Sequence, residues 1–74
     1  MSVQDIREIV YRWFYAAPSE TVERSTWYAV VRQLGSLTDG NKQAHRYLLE
    51  EAARYTGDDC KRSVYLQVLA LFDN

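Results

Sequence analysis

The sequence predicts an all-α fold, a compact single domain of four short helices over residues 1–74, packed as a bundle or orthogonal array. Three observations carry this. Apolar residues recur at three- and four-residue steps and nowhere alternate as in a half-buried strand. The helix breakers fall only at Pro18, Gly35, Gly40 and Gly57, which divide the chain into four stretches of similar length. A chain of 74 residues forms one domain and buries only about 60% of its unfolded surface, so the core is modest.

The first helix opens at Ser2, an N-cap with Asp5 placed to complete a capping-box-like pair. Val3, Ile6, Ile9, Val10, Trp13, Phe14 and Ala17 then make one wide apolar face. Pro18 lacks an amide hydrogen and ends this helix, and Ser19 or Thr21 caps the next. Helix two runs to Leu34 with Trp27, Val30, Val31 and Leu34 inward, and Gly35 closes it with the left-handed conformation common at helix C-termini. Between Gly35 and Asn41 lie turn residues, with Thr38 and Asp39 as caps and Leu37 folded onto the core. Helix three spans roughly residues 41–56 and is stopped by Gly57; its apolar face is Ala44, Leu48, Ala52 and Tyr55, with His45 and Leu49 at one edge. Asp58 or Asp59 caps helix four and sits favourably at the positive end of its dipole.

Helix four departs from simple amphipathicity. Cys60, Val64, Val68, Leu71 and Phe72 form one stripe, but Tyr65, Leu66 and Leu69 lie outside it. A helix apolar around so much of its circumference must be covered from several sides. The favoured reading makes it the central element; the other makes Leu66 and Leu69 a candidate homodimer interface.

Nine Lys and Arg oppose ten Asp and Glu, giving a net charge of −1 and no cationic surplus to attract polyanions. Asp5, Arg7 and Glu8 interrupt the place where a signal peptide needs an apolar core, and no apolar run approaches a membrane span. A single cysteine cannot form an internal disulfide and suits a reducing compartment, so a soluble, cytoplasmic protein is expected.

Catalytic chemistry has little to draw on, with one His, one Cys and no Gly-rich phosphate loop, and the expectation is a protein that is not an enzyme. His45 and Cys60, the obvious base and nucleophile, fall on different helices. Cys60 is expected as a buried, inert thiol and His45 as a core-edge histidine with a satisfied nitrogen. These two residues do not suffice for a structural zinc site. Asp39, Asn41, Gln43 and Glu50 follow the order of a calcium loop, but Ala44 occupies the position that requires glycine. No metal or cofactor is expected.

Two surfaces invite a partner. Lys42, Gln43 and Arg46 place donors near the start of helix three, as a helix-turn-helix DNA-binding regulator would, yet Glu50 and Glu51 follow closely and the phosphate attraction is weak. The second surface is aromatic. Six Tyr, two Trp and two Phe exceed what so small a core can hold. Helical projection turns Tyr11 and Tyr15 of helix one and Tyr28 of helix two outward among Arg7, Arg12, Arg24 and Arg32, and Tyr47 outward on helix three. Exposed Tyr beside Arg is the composition of protein–protein hot spots. Glu8–Arg12 and Glu50–Arg54 have helix-supporting spacing only. The sequence therefore predicts a protein-binding inhibitor, adaptor or regulatory subunit that contacts a protein partner through Arg7, Tyr11, Arg12, Tyr15, Arg24, Tyr28 and Arg32. Neither a nucleic acid nor a membrane is the favoured partner.

Overall fold

A computed structural model describes residues 1–74. Its elements in chain order are α1 (Val3–Ala16), α2 (Val22–Leu34), a 3₁₀ turn (Asp39–Asn41), α3 (Lys42–Tyr55) and α4 (Asp59–Phe72), with no strand.

The helix ends follow local chemistry. The Ser2 hydroxyl accepts from the Asp5 amide at 3.1 Å, and the Asp5 carboxylate accepts from the Ser2 amide at 3.4 Å, a reciprocal capping box. Of the two candidates for α2, Thr21 is the cap: its hydroxyl accepts from the Arg24 amide at 3.1 Å. Asp58 caps α4 through the Lys61 amide at 2.9 Å. Thr38 and Asn41 form a second reciprocal box across the 3₁₀ turn, which leads the chain straight into α3. Residues 42–50 are thus helical, and the calcium-loop order has no loop to act in.

α1 packs on α2 and α3 on α4, and α4 also contacts α2 and α1, so it touches every other helix. This is the central position that its broad apolar circumference implies. Val64, Val68, Leu69, Leu71 and Phe72 of α4 join Ile6 and Val10 of α1, Trp27, Val30 and Leu34 of α2, Leu49 of α3 and the loop residue Leu37 in one core. Trp13 closes the α1 side, its ring 5.4 Å from that of Trp27. No helix is long and apolar enough to cross a membrane.

Five local expectations are corrected. Gly35 ends α2 in the right-handed region, φ −59°, while the one positive φ belongs to Glu20, at 60°, in the α1–α2 connection. The buried face of α3 is His45, Leu49 and Ala53, whereas Ala44, Leu48 and Tyr55 face solvent. Leu48 and Leu49 are adjacent, so two stripes about 100° apart compete, and packing on α4 selects the one through Leu49. Cys60 is exposed with Asp59 and Lys61 in the first turn of α4, where Arg62 is the residue turned to the end of α3, donating to the Ala53 and Thr56 carbonyls, and full burial starts at Val64. Leu69 is 8% exposed and belongs to the core. Finally, Glu50 pairs with Arg46 and Arg54 with Glu51 at 3.7 Å, while Glu8 accepts from Gln4 Nε2 at 3.1 Å; the expected Glu8–Arg12 and Glu50–Arg54 pairs do not form.

Candidate functional site

The outward side of the α1–α2 pair carries the molecule's main aromatic surface. Tyr11 and Tyr15 are one helical turn apart and share a face of α1, and Phe14 lies beside them toward α2. The Tyr11 and Tyr15 rings are 5.5 Å apart, and the Phe14 ring meets Tyr15 at 5.1 Å and Tyr11 at 6.4 Å. From α2, Tyr28 completes the group with its ring 5.9 Å from Phe14. Four rings from two helices thus form one continuous contact. Its outer members face water: Tyr11 is 48%, Tyr15 65% and Tyr28 51% exposed.

Arginines frame these rings. Arg24, one turn before Tyr28, lays its guanidinium carbon 4.4 Å from the Phe14 centroid and 5.9 Å from that of Tyr15. Its Nη1 donates to the Ala17 carbonyl at 2.9 Å, fixing the side chain across the helix pair. Arg32, one turn after Tyr28, stands 5.9 Å from that ring. Arg7 is directed elsewhere: Nη1 donates to the Leu37 carbonyl at 2.7 Å and Nη2 to Gln4 Oε1 at 3.4 Å, so it ties α1 to the loop after α2. Arg12 is exposed and borders a shallow groove with Gln4, Arg7, Glu8 and Tyr11.

The residues proposed from sequence therefore divide. Tyr11, Tyr15, Arg24, Tyr28 and Arg32 come together, while Arg7 and Arg12 lie at the border. Phe14, assigned to the core by its place on the apolar face, is half-buried and sits at the centre of the group. Its three-residue spacing from Tyr11 was the available signal. Tyr47, 61% exposed, stands apart on α3.

Charge is unevenly distributed. None of the four arginines of α1 and α2 makes a salt bridge, whereas Arg46, Arg54 and Arg62 of α3 and α4 each pair with a carboxylate. Arg46 is the most heavily engaged. Its Nε donates to Asp73 Oδ1 at 2.9 Å and its Nη2 to Asp73 Oδ2 at 3.3 Å, and its Nη1 bonds Glu50. The Arg46 hydrogen bonds and charge hold the Asp73 carboxyl below its ordinary value, and Asp73 in turn raises Arg46.

At the start of α3, Lys42 Nζ donates to the Met1 carbonyl at 3.3 Å, and Arg46 is occupied as described; Gln43 alone of the three candidate donors is exposed without a partner. The groove beside them also contains Asp39 and Asp73. α2 and α3 are not among the principal packed helix pairs, unlike the paired helices of a helix-turn-helix. His45 is buried, with Nδ1 3.2 Å from the Asn41 carbonyl and Nε2 3.3 Å from that of Gln33 and 3.4 Å from the Ser36 hydroxyl. These contacts bridge the end of α2 to the start of α3, and Cys60 lies exposed on α4. No group of three or more His, Cys, Asp or Glu is placed to hold a metal ion. Of the candidate dimer pair, Leu66 is 52% exposed, beside Ala70 on a shallow groove, and Leu69 is covered within the chain.

Comparison of the chain with protein-family models, curated proteins and solved structures finds no match.

Proposed function

We propose that this chain is a small, non-enzymatic protein-binding module that works as an inhibitor, adaptor or regulatory subunit by occluding a partner surface with the aromatic face of α1 and α2. The single observation that carries the reading is the continuity of Tyr11, Phe14, Tyr15 and Tyr28, half-buried to strongly exposed and framed by Arg24 and Arg32.

The physics favours docking. Tyr has few rotatable bonds for its area, so ordering it on a partner costs little conformational entropy. Here the rings already restrain one another, and Arg24 is held by Ala17 before any partner arrives. Aromatic and arginine anchors of this kind supply most of the energy in measured protein interfaces. The duplex-binding alternative has less support, since Lys42 and Arg46 are occupied within the chain and the groove beside them also holds Asp39 and Asp73.

The test is affinity capture from the native host with three baits: the wild type, a Tyr15→Ala/Tyr28→Ala double variant, and Tyr47→Ala. A protein retained by the wild type and by Tyr47→Ala but lost by the double variant is the expected result. Retention by all three baits would move the site off this face. In parallel, binding of duplex DNA at low salt that is lost on Lys42→Ala/Arg46→Ala would favour the regulator instead.

A further inference from the structure

We infer that the partner of the α1–α2 face is acidic: a protein segment whose Asp or Glu side chains pair with Arg24 and Arg32 while its apolar side chains cover the exposed rings of Tyr15 and Tyr28. This inference deepens the protein-binding reading and rests on it. The observation behind it is the asymmetry of ion pairing. Every arginine of α3 and α4 is matched by a carboxylate of this chain, and no arginine of α1 or α2 is.

Position separates Arg24 and Arg32 from ordinary surface arginines. Both stand over rings, Arg24 at 4.4 Å from the Phe14 centroid and Arg32 at 5.9 Å from that of Tyr28. A guanidinium held against a ring face leaves N–H donors for a planar acceptor and, being weakly hydrated, loses little water on docking. Arg24 commits Nη1 to Ala17 and Arg32 donates no hydrogen bond within the chain, so donors remain for a two-oxygen acceptor. A carboxylate fits that fork. Apolar contact follows from the rings between the two arginines, which a purely charged ligand would leave wet.

A single-stranded nucleic acid also combines anions with stacking groups, but the ring geometry disfavours it. Arg24 already lies over the Phe14 ring on which a base would stack, and Phe14 meets Tyr11 and Tyr15 at 87° and 62°, edge to face, instead of opening a series of parallel platforms. The first two helices contain no lysine to follow a phosphate backbone.

The experiment is selection of a displayed random dodecapeptide library on the immobilised full chain, followed by titration of the best synthetic peptide. Enrichment of peptides with several Asp or Glu flanking apolar residues is expected. Their binding should weaken about 10-fold on Arg32→Gln or Arg24→Gln, weaken as sodium chloride is raised, and stay unchanged on Tyr47→Ala. Arg32 makes no hydrogen bond within the chain, so Arg32→Gln reports on binding even if Arg24→Gln disturbs the helix pair. Neutral or basic peptides that still require Tyr28 would overturn the acidic partner and leave the protein-binding reading standing. Failure to enrich any peptide, or Arg24-dependent binding of oligo(dT) in their place, would overturn both.

Discussion

Arg24 covers the Phe14 ring at 4.4 Å while donating to the Ala17 carbonyl at 2.9 Å, so one side chain fastens the exposed aromatic group to the end of the helix on which most of it stands. A part-buried cation over a ring and a hydrogen bond to a carbonyl at a helix end each stabilise by about 1 kcal/mol. Arg24→Ala should therefore lower the free energy of urea unfolding by about 1–2 kcal/mol, and Arg12→Ala, at an exposed site with no partner, by less than about 0.5 kcal/mol. Equal values for the two variants would contradict the fastening role.

Glu20 holds φ at 60°, where a side chain with a Cβ is strained by roughly 1 kcal/mol or more. Glycine relieves this strain but gains freedom in the unfolded chain. Glu20→Gly should still raise stability by about 0.5 kcal/mol, and Glu20→Asn should do so with less unfolded-state entropy. A lower midpoint in urea for both variants would rule out strain at this turn.

The contact between Arg46 and Asp73 sets a pH dependence. Arg46 holds the Asp73 carboxyl below its ordinary 3.8, so the folded state binds this proton less readily than the unfolded state. Its stabilisation is complete well above pH 3.8, declines as the pH falls through the lowered folded value, and is absent in stronger acid. Arg46 is raised and stays charged throughout this range. The stability gap between the wild type and Asp73→Asn should accordingly be present at neutral pH and close below about pH 3.8. A gap that widened in acid would have the wrong sign.

Leu66 and Leu69 separate surface from core on one helix. Leu69→Ala should lower stability by about 2–4 kcal/mol by opening a cavity in the core, whereas Leu66→Ala should change it by less than about 0.5 kcal/mol. Similar losses at both positions, measured by thermal unfolding, would show that Leu66 is covered too.

Four helices, three of the four N-caps and the role of Leu37 follow from spacing and turn chemistry, because capping residues and breakers act over a few residues and leave a local imprint. The α3 face did not follow in this way. Leu48 and Leu49 support alternative stripes, and only packing on α4 decides between them; His45 counts against the buried stripe until its two carbonyl neighbours are known. Leu69 is similar, since a helix apolar on most sides does not announce which leucine its neighbours will cover. In the candidate site, the outward placement of Tyr11, Tyr15 and Tyr28 was visible from periodicity, which depends only on helix geometry. Their assembly around Phe14, and the withdrawal of Arg7 to the Leu37 carbonyl, depend on how α1 meets α2 and its loop, which no local pattern encodes.

The most direct measurement is the dissociation constant of the captured partner, by calorimetric titration, for the wild type, Tyr28→Ala and Tyr47→Ala, with folding checked by circular dichroism. Loss of a hot-spot ring weakens binding by about 10-fold or more. Tyr28→Ala is expected to show that loss while Tyr47→Ala binds as the wild type does; equal affinity for all three chains would contradict a docking role for the α1–α2 face.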